Sequence, residues 1–240
     1  MNLLQLRTKF RDVTGRHDLV NDDGSDNGAD FFIYEGQKFL DRLDETQKSW
    51  ASVFRFLETG RHYVTFPYCR AIKEVWVATT SARWQLDKKN LQDLMTEYMT
   101  TTPSQLGVGD SLYYSPAITR FIPENATVNT LEAFVGYVDM PSGNASEYNA
   151  IIVMPPTQEK LMVEVKGLFY SMQLASDDDK NYWSEVHPLL LISAAMRSVE
   201  VINRNTQGVN DWSNSIAADM KQLGMDLVEE LIAEVTEMEG

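Results

Sequence analysis

Asp22, Asp23, Asp26 and Asp30, with Ser25 and Asn27 among them, are the side chains of this chain best spaced for metal chemistry. Asp23, Ser25 and Asn27 alternate, and Gly28 follows where a calcium loop needs its sharp turn. The pattern then breaks: Tyr34 stands where the bidentate glutamate belongs, and Glu35 comes one residue late. Asp and Asn side chains in such a run also hydrogen-bond to nearby backbone and cap the helix that follows. That second reading is preferred, and no metal or cofactor is expected.

Covalent chemistry has still fewer openings. Cys69 is the only cysteine, so no internal disulfide forms. It sits beside Arg70 between two expected strands and is read as a space-filling side chain. His17, His62 and His187 have no ligand spacing. There is no Gly-x-Ser-x-Gly, no phosphate-cradling Gly-x-x-x-x-Gly-Lys and no His-Glu-x-x-His. Asp177, Asp178 and Asp179 are expected to cap a helix start, where acids suit the partial positive charge. No catalytic residue is expected.

The elements that would position these residues centre on the stretch from Asn181 to Arg204. A short helical turn is predicted over 178–186, then a new helix with Pro188 at its first position, where a missing N–H costs nothing. Leu189, Ile192, Ala195, Met196, Val199 and Ile202 follow at spacings of three and four, the pattern of a buried helix face. This is the most apolar helix of the chain, so the others are expected to pack on it.

A first helix is predicted over about 2–14, capped by Asn2 and stopped by Gly15. A second runs over about 29–43. Gly36 inside it costs about 1 kcal/mol against Ala, which points to close approach of another helix. A short helical piece is predicted over 48–57. From residue 61 the period changes to two, with strands at 62–67, 71–79, 112–122, 133–138, 148–154 and 160–170. Pro116 marks an edge or bulge, 141–146 is a turn, Pro155-Pro156 a hairpin turn, and 86–99 a helix. The last helix runs over about 209–238, with Trp212, Ile216, Met220, Leu223, Leu227, Leu231, Val235 and Met238 as its stripe. Its polar face carries Asp219, Asp226, Glu229, Glu230, Glu234 and Glu237 against Lys221 alone.

Helices, a β-rich middle and helices again define an α+β class. The expected arrangement is a helical bundle formed by the N- and C-terminal helices, 1–60 and 171–240, with an inserted β-rich domain over 61–170. Hydrophobic residues at 43% and charged residues at 23% suit an ordinary globular protein. No apolar run is long enough for a membrane, and no signal peptide is expected. The net charge of −14 makes a poor grip for nucleic acid, which needs Lys and Arg on phosphates.

The order of segments resembles the tailed-phage head-to-tail adaptor (head-completion or connector) proteins. The likeness rests on Asp30-Phe-Phe-Ile-Tyr-Glu-Gly-Gln-Lys-Phe-Leu-Asp-Arg42, on Gly109-Asp-Ser-Leu-Tyr-Tyr114 before a strand, and on Asn181-Tyr-Trp-Ser-Glu-Val-His-Pro188 before an apolar helix. It covers nearly the whole chain, and the order of the motifs carries it. The resemblance implies a structural virion protein at the neck, made in the host cytoplasm. It implies a homo-oligomeric ring, commonly a dodecamer, between the portal protein and tail or nozzle proteins. DNA would pass through without specific binding, and no membrane is involved. Tyr113, Tyr114, Trp183 and Pro188 would be fold-defining. The apolar stripe of the last helix persists through Leu227, Leu231, Val235 and Met238 while its other face is densely acidic, which is read either as a portal-docking element or as packing on the chain's own second helix. An acidic metal-dependent enzyme using the 22–30 carboxylates and a monomeric binding module are the alternatives.

Overall fold

Asn2 starts the first helix as its position predicts. In the computed structural model, which describes residues 1–44, 50–98, 108–118 and 148–236, Asn2 Oδ1 accepts the Gln5 N–H at 2.9 Å. Gln5 Oε1 accepts the Asn2 N–H in return, a capping box worth about 1 kcal/mol. This helix, α1 (Leu3–Thr14), ends at Gly15, whose φ of 68° is cheap only for glycine. The protein is of the α+β class. The chain divides into two compact units, Met1–Ser49 with Tyr170–Gly240 and Trp50–Phe169.

The first unit is helical. It contains α1, α2 (Ala29–Leu43), α4 (Tyr182–Val186), α5 (Pro188–Ile202) and α6 (Thr206–Thr236). Helix α5 is its centre: α1, α2, α4 and α6 all pack on it, and residues 190–196 are buried on every side. Two members of the predicted stripe depart from it. Leu189 and Ile202 are 63% and 60% exposed, because they lie at the two ends of the helix, beyond its packed middle. Pro188 does occupy the first helical turn. The cap before α4 is Asn181 rather than the Asp177–Asp179 run. Asp179 accepts the N–H groups of Ala175 and Ser176 and closes the preceding turn; those two backbone bonds hold its carboxyl below the usual carboxylate range.

Gly36 meets α5 directly. A Cβ built on it would stand 2.6 Å from Ala195 N and 3.0 Å from the Ala194 carbonyl carbon. Ala194 and Ala195 are the smallest side chains on α5, and Gly36 answers them, so the backbones approach more closely than a Cβ at position 36 would permit.

The second unit carries eight strands and one helix among the described residues. The strands are β1 (Trp50–Leu57), β2 (Tyr63–Phe66), β3 (Cys69–Ala78), β4 (Arg83–Gln85), β5 (Asp87–Lys88), β6 (Tyr113–Ile118), β7 (Asn149–Met154) and β8 (Leu161–Phe169). The helix is α3 (Leu91–Tyr98). One sheet has the order β1-β8-β3-β4, the other β2-β7-β6-β5. All pairings are antiparallel except β5 with β6. Leu57, Phe66, Val75, Val77, Tyr114, Ile151, Val153, Val163 and Val165 from both sheets share one core. On the other face of the second sheet, Leu94 of α3 packs with Ala150, Ile152 and Met154.

Three sequence expectations fail here. Residues 50–57 are strand, not helix. Val53, Phe54 and Phe56 are β-branched or aromatic, and all eight residues pair with β8. Residues 87–88 likewise pair with Tyr113 and Tyr114, so the helix predicted from 86 starts only at Leu91. The chain at Pro155-Pro156 makes no hairpin, because β7 and β8 belong to different sheets and the connection crosses between them. Pro116 sits where β5 no longer reaches β6, the setting for a residue without a donor. The strand expected at 133–138 and the turn at 141–146 lie outside the described residues.

The Gly36 approach yields a direct test. Gly36→Ala gains about 1 kcal/mol of helix propensity but forces α2 off α5, which costs about 1–3 kcal/mol or more. Urea unfolding is expected to show net destabilisation, larger for Gly36→Leu; a Gly36→Ala protein more stable than the parent would contradict the close approach.

Candidate functional site

The acidic loop after α1 spends its oxygens on itself. Asp23 Oδ1 accepts from the Ser25 hydroxyl at 2.7 Å and from the Ser25 N–H at 2.9 Å, and these bonds hold its carboxyl below the usual range. Asp26 Oδ1 accepts the N–H groups of Gly28 and Asp30 at the start of α2. Asn27 donates to the Asp18 carbonyl at 2.7 Å. Asp30 turns away to Arg7. The loop residues Asp23, Ser25 and Asn27 are thus a set of backbone-closing turns. Among the described residues no three His, Cys, Asp or Glu side chains stand close enough to hold a metal ion.

Sequence reasoning passed over Arg7. It lies on the buried face of α1 with Leu3, Leu6 and Phe10. Its guanidinium grips Asp30 with Nε at 2.6 Å and Nη2 at 2.9 Å, and Asp177 with Nη1 at 2.6 Å. The Asp30 bonds hold its pKa above the ordinary value, with those to Asp177 assisting. A two-pronged clamp of this kind joins α1, the start of α2 and the segment before α4. The signal was available: an arginine on an otherwise apolar helix face requires a carboxylate opposite.

The densest polar cluster lies around Asp41. Trp183 Nε1 donates to Asp41 Oδ1 at 2.7 Å. The Ser171 hydroxyl donates to the same oxygen at 2.6 Å, and the Ser171 N–H to Oδ2 at 2.9 Å. One helical turn earlier, Gln37 donates to the Ser171 and Met172 carbonyls and accepts from Asn181 Nδ2 at 2.9 Å. Asn181 Oδ1 accepts the Ser184 N–H while Ser184 Oγ accepts the Asn181 N–H. Gln37, Asp41, Asn181 and Trp183 are all buried. Each donor and acceptor here has a partner, so the cluster is suited to fixing geometry rather than to turning over a substrate. It explains the Asn-x-Trp spacing: Asn181 caps α4, and Trp183, two residues on, reaches Asp41. Gln37 and Asp41, polar residues on the apolar face of α2, were the missed sequence signal.

The remaining residues of interest fall elsewhere. Tyr114 is buried in the core between the sheets, and burial pushes its hydroxyl up. Tyr113 points to the α3 side, with Lys89 Nζ 3.6 Å from its ring centre. The two alternate across β6. Cys69 is buried, and that burial pushes its thiol up to about 11. Tyr182 Oη is 3.3 Å from His187 Nε2, which sits between α4 and α5. Leu227, Leu231 and Val235 fall within α6; Met238 lies outside the described residues. No described helix is long and apolar enough to cross a membrane. The chain matches no family model and no curated protein.

Two measurements check these placements. Asp41→Ala strands the Trp183 and Ser171 donors, and each buried unpaired donor costs roughly 1–3 kcal/mol. We expect a loss of about 3 kcal/mol or more in denaturant unfolding, and a smaller one for Trp183→Phe, which removes one donor and keeps the acceptor's other bonds. The Cys69 thiol is expected to resist iodoacetamide at pH 8 in the folded protein and to react on unfolding. A thiol with a raised folded pKa favours folding fully below its ordinary value near 9.0 and loses that contribution as pH rises toward about 11. Fast labelling at pH 8 without unfolding would show that the site is open.

Proposed function

We propose that this protein is a structural virion component, a head-to-tail adaptor that forms a ring beneath the portal and links it to the tail. What carries the reading is the order of its parts. The N- and C-terminal segments meet in one helical unit, fastened by the Asp41, Gln37, Asn181 and Trp183 cluster, and a β-rich stretch lies between them in sequence. In the proposal this is a helical bundle with an inserted β domain, the bundle forming the ring. The described side chains favour a scaffold over a catalyst, because the polar clusters are closed on themselves. A net charge of −14 also suits a channel that passes DNA without holding it.

The reading is tested by particle mass and by single-particle imaging of the protein with portal-bearing heads. A ring seated between portal and tail is expected. A protein that stays monomeric in the presence of heads and never joins them would remove the adaptor reading and favour a monomeric binding module. Metal-dependent turnover by the pure protein, abolished by Asp23→Asn without unfolding, would favour the enzyme instead.

On the sequence pattern alone, the stripe of Leu227, Leu231, Val235 and Met238 is assigned to an assembly contact, for which the resemblance offers the portal as one partner. Trp212, Ile216, Met220 and Leu223 already pack on the helical core, so a chain ending at Gly224 is expected to fold with nearly unchanged stability and to lose assembly. An unfolded truncation would make 225–240 part of the core, and a folded one that still joins heads would deny the segment any role in assembly.

A further inference from the structure

A chain this acidic repels its own copies unless some face reverses the sign. The helical unit has such a face. Phe31, Glu35, Lys38 and Arg42 follow at spacings of three and four along α2, opposite its buried Ile33, Gly36, Gln37 and Leu40. Lys38 Nζ lies 4.0 Å from the centre of the Tyr34 ring, and the Arg42 guanidinium 6.0 Å from that of Tyr170. Arg197 of α5 lies 4.2 Å from the centre of the Phe39 ring. Phe31 is 57% exposed and Leu43 45%. Glu35, 3.0 Å from Lys38, is the carboxylate of this stripe. Lys38 and Arg42 thus put positive charge beside aromatic rings along this stripe, while Arg197 donates to the Ser213 hydroxyl of α6 in the same chain at 3.0 Å.

Its complement is written in the same chain. Helix α6 has 31 residues and α5, on which it packs, has 15. At 1.5 Å per residue α6 outruns α5 by about 24 Å. Along that length the sequence carries Leu227, Leu231 and Val235 together with Asp226, Glu229, Glu230 and Glu234. Among the described side chains of α6, Leu223 is the last that packs on the helical core.

We infer that the last turns of α6 in one copy lie along the outer face of α2 in the next copy. The inference rests on the adaptor reading, in which a ring subunit needs two different faces that fit each other. In this arrangement the carboxylates of the helix meet Lys38 and Arg42, which relieves the repulsion among Asp226, Glu229, Glu230 and Glu234 at three and four spacing. The apolar residues meet Phe31, Tyr34 and Phe39, a helix laid into a groove. The neighbouring copy is favoured over the portal because the complementary surface belongs to this chain.

The test uses full-length Lys38→Cys and Glu230→Cys proteins, mixed and mildly oxidised both alone at high concentration and on portal-bearing heads. Cys69, buried and with a raised pKa, leaves the background low. The mixture is expected to give disulfide-linked dimers, and a chain carrying both substitutions a ladder of multimers. Neither single variant should give them. Lys38→Glu with Arg42→Glu should weaken association at least tenfold, and Glu230→Lys with Glu234→Lys on the same chain should restore it. Circular dichroism shows that each variant is folded. Capture of Glu230→Cys by the portal instead of by position 38 would overturn the inference. So would rings that form without the 38–230 link or that ignore the charge reversal; such rings leave the adaptor reading intact. A chain that neither associates nor joins heads would end both.

Discussion

The helical unit depends on how closely α2 can approach α5. A helix buried on every side over residues 190–196 needs neighbours on every side, and one of them must come near enough to leave no void. Gly36 permits this, because its missing Cβ admits the backbone of Ala194 and Ala195. With α2 seated there, Gln37 and Asp41 on its next turn fall opposite Ser171, Asn181 and Trp183. The hydrophobic contact therefore sets the position and the polar cluster sets the register. Sliding α2 by one turn would leave a buried carboxylate without donors, a penalty of several kcal/mol.

The same logic separates closed chemistry from open chemistry. Asp23 Oδ1 is held by the Ser25 N–H and hydroxyl, Asp26 Oδ1 by two backbone N–H groups, and Asp30 and Asp177 pair with Arg7. Acid-rich segments that look like ligand sets in sequence thus become turn closures and ion pairs. Among the described residues the unspent chemistry is at the surface: exposed Phe54 and Phe56 with Met162 on the first sheet, and the cation-bearing face of α2.

Much of the helical unit was legible in the sequence because its signals are local. Asn2, Gly15 and Pro188 act within one helical turn of themselves, and Gly36 announces close approach by being a glycine in a helix. What was not legible depended on partners distant in the chain. Residues 50–57 read as helix until β8, more than a hundred residues later, supplies the other half of the ladder. Pro155 and Pro156 read as a hairpin because a turn signal does not say which sheet the next strand joins. Arg7, with Asp177 170 residues away, and Asp41, with Trp183 142 residues away, could be recognised as buried polar residues in need of partners, but not paired. The turns closed by Asp23 and Asp26 are decided within four residues, whereas the bond from Asn27 to the Asp18 carbonyl, nine residues back, was not legible.

Charge then bears on assembly. Copies of a chain at −14 that stand side by side repel over a Debye length of about 8 Å at physiological salt. Contacts between them are stable only where that field is locally inverted and water is excluded. Cations resting on aromatic rings meet both conditions at once: the ring gives up apolar surface on contact, and the cation is already partly desolvated by the ring beneath it. Lys38 over Tyr34 has this form, and both stand on the helix whose position is fixed by Gly36. In a ring of the kind proposed, a contact surface benefits from being built on a tightly constrained helix, since small angular errors at one interface accumulate around the circle.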